Sequence, residues 1–133
     1  MGEIGELLGW LIIIGYTLTA LNFVVKAVNK KFGKNMAKYP KFKKIYSTIM
    51  KILVKYHKLF GLSTIVFILA HFIVQYTSFG LRISGGVAAA VMILQILLGI
   101  YGAYVVKKRS GAWFILHRLI AVILLIVIAI HII

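Results

Sequence analysis

Polar and apolar positions alternate along this chain in long blocks rather than short ones. Apolar stretches run near Leu7–Val28, His57–Tyr76, Ile83–Val106 and Trp113–Ile133. Each is long enough to cross a hydrocarbon core of about 30 Å, which takes about 20 residues in a helix. Polar residues gather between them: a lysine-rich segment with Gly33 and Pro40 as breaks, a short turn at Thr77–Leu81 around Gly80, and another at Lys107–Gly111. The pattern predicts an all-α protein, an integral membrane four-helix bundle of up-down-up-down topology. Residues 1–133 form one domain on this reading.

The second helix is expected to begin well before its apolar span. Ile45, Ile49, Ile52, Leu53 and Tyr56 recur at helical spacing, while Lys44, Lys51, Lys55 and Lys58 fall on another stripe. Lys41–Lys55 therefore reads as an amphipathic cytoplasmic extension of helix 2. Composition agrees with the spans. The chain of 133 residues is 62% hydrophobic, where a soluble domain would be nearer half. Ala121–Ile130 is ten apolar residues without interruption. No span carries a charged outer face, which argues against a water-soluble bundle.

The net charge of +14 would suggest nucleic acid if it were spread along a surface. It is not. Eleven lysines lie between Lys26 and Lys58, and Lys107, Lys108, Arg109 and Arg118 surround the third loop, whereas Arg82 alone lies near the second. This asymmetry is the positive-inside pattern. It predicts cytoplasmic first and third loops, both termini outside, and no nucleic-acid partner. The lysines would meet anionic lipid headgroups, or form a docking face for a quinol or an acidic redox protein. The absence of cysteine excludes disulfides, thiolate iron–sulfur ligation and covalent haem attachment through Cys-x-x-Cys-His. Glu3 and Glu6 stand where a cleavable signal would carry positive charge.

Candidate chemistry rests on four histidines: His57 and His71 in the second span, His117 and His131 in the fourth, each pair fourteen residues apart. Fourteen helical steps fall about 40° short of four turns and climb about 21 Å. Each helix thus shows two imidazoles on nearly one face, one near each side of a bilayer. The second and fourth spans run parallel, so His57 and His117 share the cytoplasmic level and His71 and His131 the outer one. Each pair can clamp one haem iron from both sides. The competing reading is four hydrogen-bonded packing histidines, but ionisable groups inside membrane spans are costly and usually functional. A zinc or copper site would want ligands clustered around one ion, often with thiolate or carboxylate help. A proton relay would want buried acids, and the only acids are Glu3 and Glu6.

Lys58 and Arg118 each follow a cytoplasmic-level histidine and would neutralise haem propionates, or simply snorkel to the headgroups. Arg82, with Gln75, Tyr76 or Ser78 as donors, would serve the outer haem in the same way. Gly85 and Gly99 on the third span are again fourteen apart. A glycine opposite each haem would admit the flat macrocycle, although small-residue helix packing also uses such positions. Gly61, one turn after His57, is a weaker candidate of the same kind, as are Gly9 and Gly15. Trp10, Trp113, Tyr76 and Tyr101 read as interfacial or packing aromatics.

Lys55-Tyr56-His57-Lys58-Leu59-Phe60-Gly61 with His71, and Trp113-Phe114-Ile115-Leu116-His117-Arg118 with His131, resemble the haem-binding helices of the ferric reductase and NADPH oxidase membrane cores. The equal spacings, with the Gly85–Gly99 interval, are also similar to the haem bundle of respiratory cytochrome b. The resemblance covers roughly Tyr56 to Ile133 and lies in spacing more than in word-for-word motif. It implies a di-haem b-type cytochrome with two non-covalent b haems, one on His57 and His117, the other on His71 and His131, in a prokaryotic plasma membrane. The chain departs from those families in lacking the flavin and nicotinamide domain and the quinone-site helices.

Three functions are open at this level. The first is electron transfer across the membrane. The second is a stand-alone oxidoreductase of superoxide oxidase or ferric reductase type using the same haems. The third is a non-redox transporter or anchor subunit, although Leu11–Asn22 lacks the buried acid that small transporters use.

Overall fold

The computed structural model describes residues 2–133 and is helical nearly throughout. Four helices, α1 (Gly2–Met36), α2 (Pro40–Phe79), α3 (Ile83–Ile100) and α4 (Ala112–Ile132), follow one another, with a π-helical segment at Tyr101–Val106 extending α3. No strand occurs among the described residues. All four, counting α3 with its extension, are long and apolar enough to cross a membrane. Burial supports the same conclusion. Among the described residues the buried apolar side chains are only Tyr16, Met36, Leu53, Met92 and Leu124, while Ile83, Ile115 and Ile130 are 82%, 68% and 63% exposed. Apolar side chains that point outward on every helix suit lipid rather than water.

The helix ends differ from the sequence expectation in three places. Gly33 is not a break: α1 runs through it to Met36. Lysine is a good helix former, and one interior glycine costs only about 1 kcal/mol against alanine, so the lysine-rich segment is mostly helix. The connection shrinks to residues 37–39, and Pro40 opens α2 at the first helical position, where its missing N–H costs nothing. At the other end α2 continues to Phe79, so Thr77 and Ser78 are helical rather than in the turn. Gly80 then closes it in the left-handed region (φ 77°), its N–H donating to the Tyr76 carbonyl at 3.0 Å. The third difference is the π segment. Lys107 N–H donates to the Gly102 carbonyl, five residues back, at 3.0 Å, and Lys107 itself turns left-handed (φ 58°). The turn at 107–111 and the amphipathic start of α2 are as expected.

The chain divides into two compact units. One is a helical hairpin, Glu6–Leu69, made of α1 and the first three-quarters of α2. Its helices cross where Gly15 faces Thr64, with no room for a Cβ on Gly15. Thr64 is 2% exposed, and its hydroxyl donates to the Phe60 carbonyl at 2.7 Å. Nearer the lysine-rich end, the Tyr46 hydroxyl donates to the Val25 carbonyl and ties α2 to α1. The other unit joins the N-terminal residues through Gly5 to Ala70–Ile133. In it α3 packs antiparallel along α4.

Candidate functional site

Register between α3 and α4 is set by three glycines. Gly85 meets the His131 ring, Gly99 meets the His117 ring, and Gly102 lies directly under the Trp113 indole. Each step forward along α3 is a step back along α4, as antiparallel helices require. A Cβ on Gly85 would stand 3.0 Å from His131 Cε1, and one on Gly99 would stand 3.4 Å from His117 Cε1. The equal fourteen-residue intervals on the two helices therefore have one cause. The glycines of α3 are seats for the imidazoles of α4. Trp113 completes the inner end: its indole N–H donates to the Lys108 carbonyl at 3.1 Å, and its ring lies 6.2 Å from that of His117.

His71 and His131 come together in this unit. Their ring centroids are 6.3 Å apart and their planes nearly perpendicular, at 89°. Two imidazoles bound through nitrogen to one ion, each about 2 Å from it, would have centroids about 6 Å apart. The backbone determines the His71 tautomer. His71 Nδ1 lies 2.9 Å from the Gly5 carbonyl oxygen, and a carbonyl can only accept, so Nδ1 carries the proton and Nε2 keeps its lone pair. His131 Nδ1 lies 3.1 Å from Ser84 Oγ. With Nδ1–H donating to that hydroxyl, its Nε2 is likewise a ligand atom. Metal-binding histidines are commonly oriented by such a hydrogen bond on the second nitrogen.

The remaining predicted residues fall around this pair, around His117, or in the hairpin unit. Ser78 lies seven residues beyond His71, two turns along the same face. Its hydroxyl is buried without a hydrogen-bond partner, a donor that a polar group at this level would satisfy. Gln75 packs on Gly5, and Tyr76 stacks on Phe72 at 6.0 Å. Arg82 is exposed and extended just ahead of α3, and it and His71 are the charged or chargeable neighbours of His131. At the inner level Arg118 lies over the Phe114 ring at 4.1 Å. His117 Nε2 is 3.4 Å from the Gln95 amide nitrogen, a residue that sequence reasoning passed over. An isolated glutamine in an apolar span was the available signal. His57, Lys58 and Gly61 belong to the hairpin unit. There His57 is half-buried and Lys58 exposed, and Gly61 faces Thr19 at ordinary contact distance, 4.0 Å.

Among the described residues no three or more histidine or acidic side chains converge on one point, so the candidate centre is a two-histidine one. No family model, curated protein or solved structure matches the chain.

Proposed function

We propose that this protein carries electrons across a membrane through two b-type haems, each held between two histidines. The observation that carries the reading is the His71–His131 pair. Its centroids are 6.3 Å apart, and each Nδ1 is engaged, by Gly5 and by Ser84. With Nδ1 engaged on each ring, the two Nε2 atoms would be the ones to hold a haem iron. The identical fourteen-residue offset of His57 and His117 from His71 and His131 would extend the same chemistry to a second haem. Haem iron supplies reversible one-electron chemistry when bound.

The chain's own residues orient and insulate the two centres. Gly5 and Ser84 hold the outer imidazoles in the ligating tautomer. Gly85 and Gly99 admit the rings of α4 against the α3 backbone. Ser78, Arg82, Arg118 and Lys58 meet the anionic propionates. The exposed apolar helix faces support a bilayer as the setting of the four helices. The lysine distribution orients them, with the lysine-rich loops in the cytoplasm of a prokaryotic cell. The resemblance to the haem cores of ferric reductases and NADPH oxidases points the same way, with a quinol or a redox protein as partner at the lysine-rich face.

The test is an optical one. Protein expressed with ample haem and purified in detergent should give a reduced-minus-oxidised b-type spectrum and two haems per chain in a pyridine hemochromogen count. Colourless protein would end the proposal. Two haems that survive His71→Ala and His131→Ala together would overturn the outer pair as ligands.

A further inference from the structure

The hairpin unit has a cleft that the haem reading does not use. It is an open groove of roughly 470 Å³ where the last turns of α1 meet the first turns of α2. Lys30 and Lys34 from α1 and Lys43 from α2 line it, with Asn29 and Ser47 as neutral hydrogen-bonding groups and Met50 as an apolar wall. Gly33 lines it as well and explains its own place inside a helix. A side chain there would project into the cleft.

Three ammonium groups around one cavity want an anion, and the hairpin has none to offer. Its one carboxylate, Glu6, is 24 residues from Lys30 along α1, about 36 Å, several screening lengths away at physiological salt. Nothing in the hairpin supplies the counter-charge. The same turns of α2 also carry Phe42, Ile45, Ile49 and Ile52, spaced as one helical stripe and all exposed, at 55%, 62%, 49% and 48%. On the membrane reading the apolar span of α1 ends near Val28, so the cleft, which begins at Asn29, stands at the depth of the headgroup phosphates.

We infer that the Lys30–Lys34–Lys43 cleft is a binding site for the phosphate of an anionic phospholipid headgroup. The proposal rests on the membrane reading above but not on haem. The lysines supply charge, Asn29 and Ser47 donate to phosphate oxygens, and the apolar stripe favours a lipid over free phosphate, which has no acyl chain to place.

The experiment uses the full chain purified in detergent, titrated with phosphatidylglycerol or phosphatidylcholine and read by native mass spectrometry. Phosphatidylglycerol should be retained and phosphatidylcholine should not. Gly33→Leu fills the cleft without changing charge. The new Cβ would stand 3.3 Å from Asn29 Oδ1, the free end of a side chain, and leucine is the better helix former. This variant should weaken phosphatidylglycerol retention at least about tenfold, as should Lys30→Gln with Lys34→Gln and Lys43→Gln. Lys41→Gln with Lys44→Gln and Lys51→Gln removes equal charge elsewhere and should leave retention within about twofold. Equal loss in both lysine sets would overturn the site in favour of diffuse attraction. Equal retention of the two lipids would overturn it in favour of an acidic protein surface. Displacement by inorganic phosphate as effective as by phosphatidylglycerol would overturn the lipid assignment. A chain that stays soluble and monodisperse without detergent would sink the membrane reading and this site with it, whereas colourless protein with intact lipid selectivity would sink only the haems.

Discussion

The two imidazoles of α4 sit on the same helix, against the same partner helix, each over a glycine, yet they are held in opposite ways. At the outer seat Ser84 engages Nδ1 of His131 at 3.1 Å, and the nitrogen far from the backbone is left for a ligand. At the inner seat Gln95 lies 3.4 Å from Nε2 of His117, the very atom a metal would use. Gly85 is also the tighter seat: a Cβ there would stand 3.0 Å from its imidazole, against 3.4 Å for one on Gly99. On the proposed reading this makes the His71–His131 pair the preorganised one, since hydrogen bonds orient both rings inside one compact unit. For His117 to hold a haem as proposed, the Gln95 amide would have to move away from Nε2. A contact of 3.4 Å is long for a hydrogen bond, so that displacement costs little, but it gives the two centres different characters.

Removal of a ligand should break the comparison most severely. His71→Ala should abolish the outer haem and leave the inner one, which halves the haem count per chain. A count that stays at two would show that His71 does not ligate. Next come the seats. Gly85→Leu drives a side chain into the His131 ring and should empty the outer centre alone, while Gly99→Leu should empty the inner centre alone. Separate alpha-band losses in low-temperature spectra would read this out, and a loss of both bands from either variant would refute independent seats. Ser84→Ala removes only the orienting hydroxyl. It should weaken outer haem binding by about 10- to 100-fold, the usual effect of losing such a partner, as measured by haem retention against apomyoglobin. The smallest effect belongs to Gln95→Leu. It should change inner haem affinity by less than about fivefold, in the direction of tighter binding. A loss as large as that of Ser84→Ala would mean that Gln95 supports the centre rather than competing for its ligand atom.

Much of this arrangement was legible before any coordinates. The four apolar blocks became four helices because each is long enough to satisfy its own backbone hydrogen bonds with few breaks. Gly80 and Gly111 marked true chain reversals, since both adopt positive φ. Gly33 misled because glycine in an otherwise strong helix former lowers stability without ending the helix. The fourteen-residue glycine interval was visible, and so was its match to the histidines. What could not be read was that the glycines meet the imidazoles themselves, because that depends on the α3–α4 register. Gln95 went unremarked for the same reason. Its importance lies in which ring nitrogen it faces, and that is a tertiary fact. The π segment was equally silent, since Tyr101–Val106 reads as ordinary helix until Lys107 bonds back to Gly102.

The sequence alone determined the helices, their apolar surfaces, the clustering of charge in the first and third loops and the spacing of the histidines along each helix. All of these follow from local periodicity and composition, which need no partner. Tertiary structure decided the rest: the closeness of His71 to His131, the tautomer that the Gly5 carbonyl imposes, and the lysine cleft around Gly33. These depend on which faces meet and at what offset along the helix axes. Side-chain packing selects that offset, and periodicity by itself leaves it open.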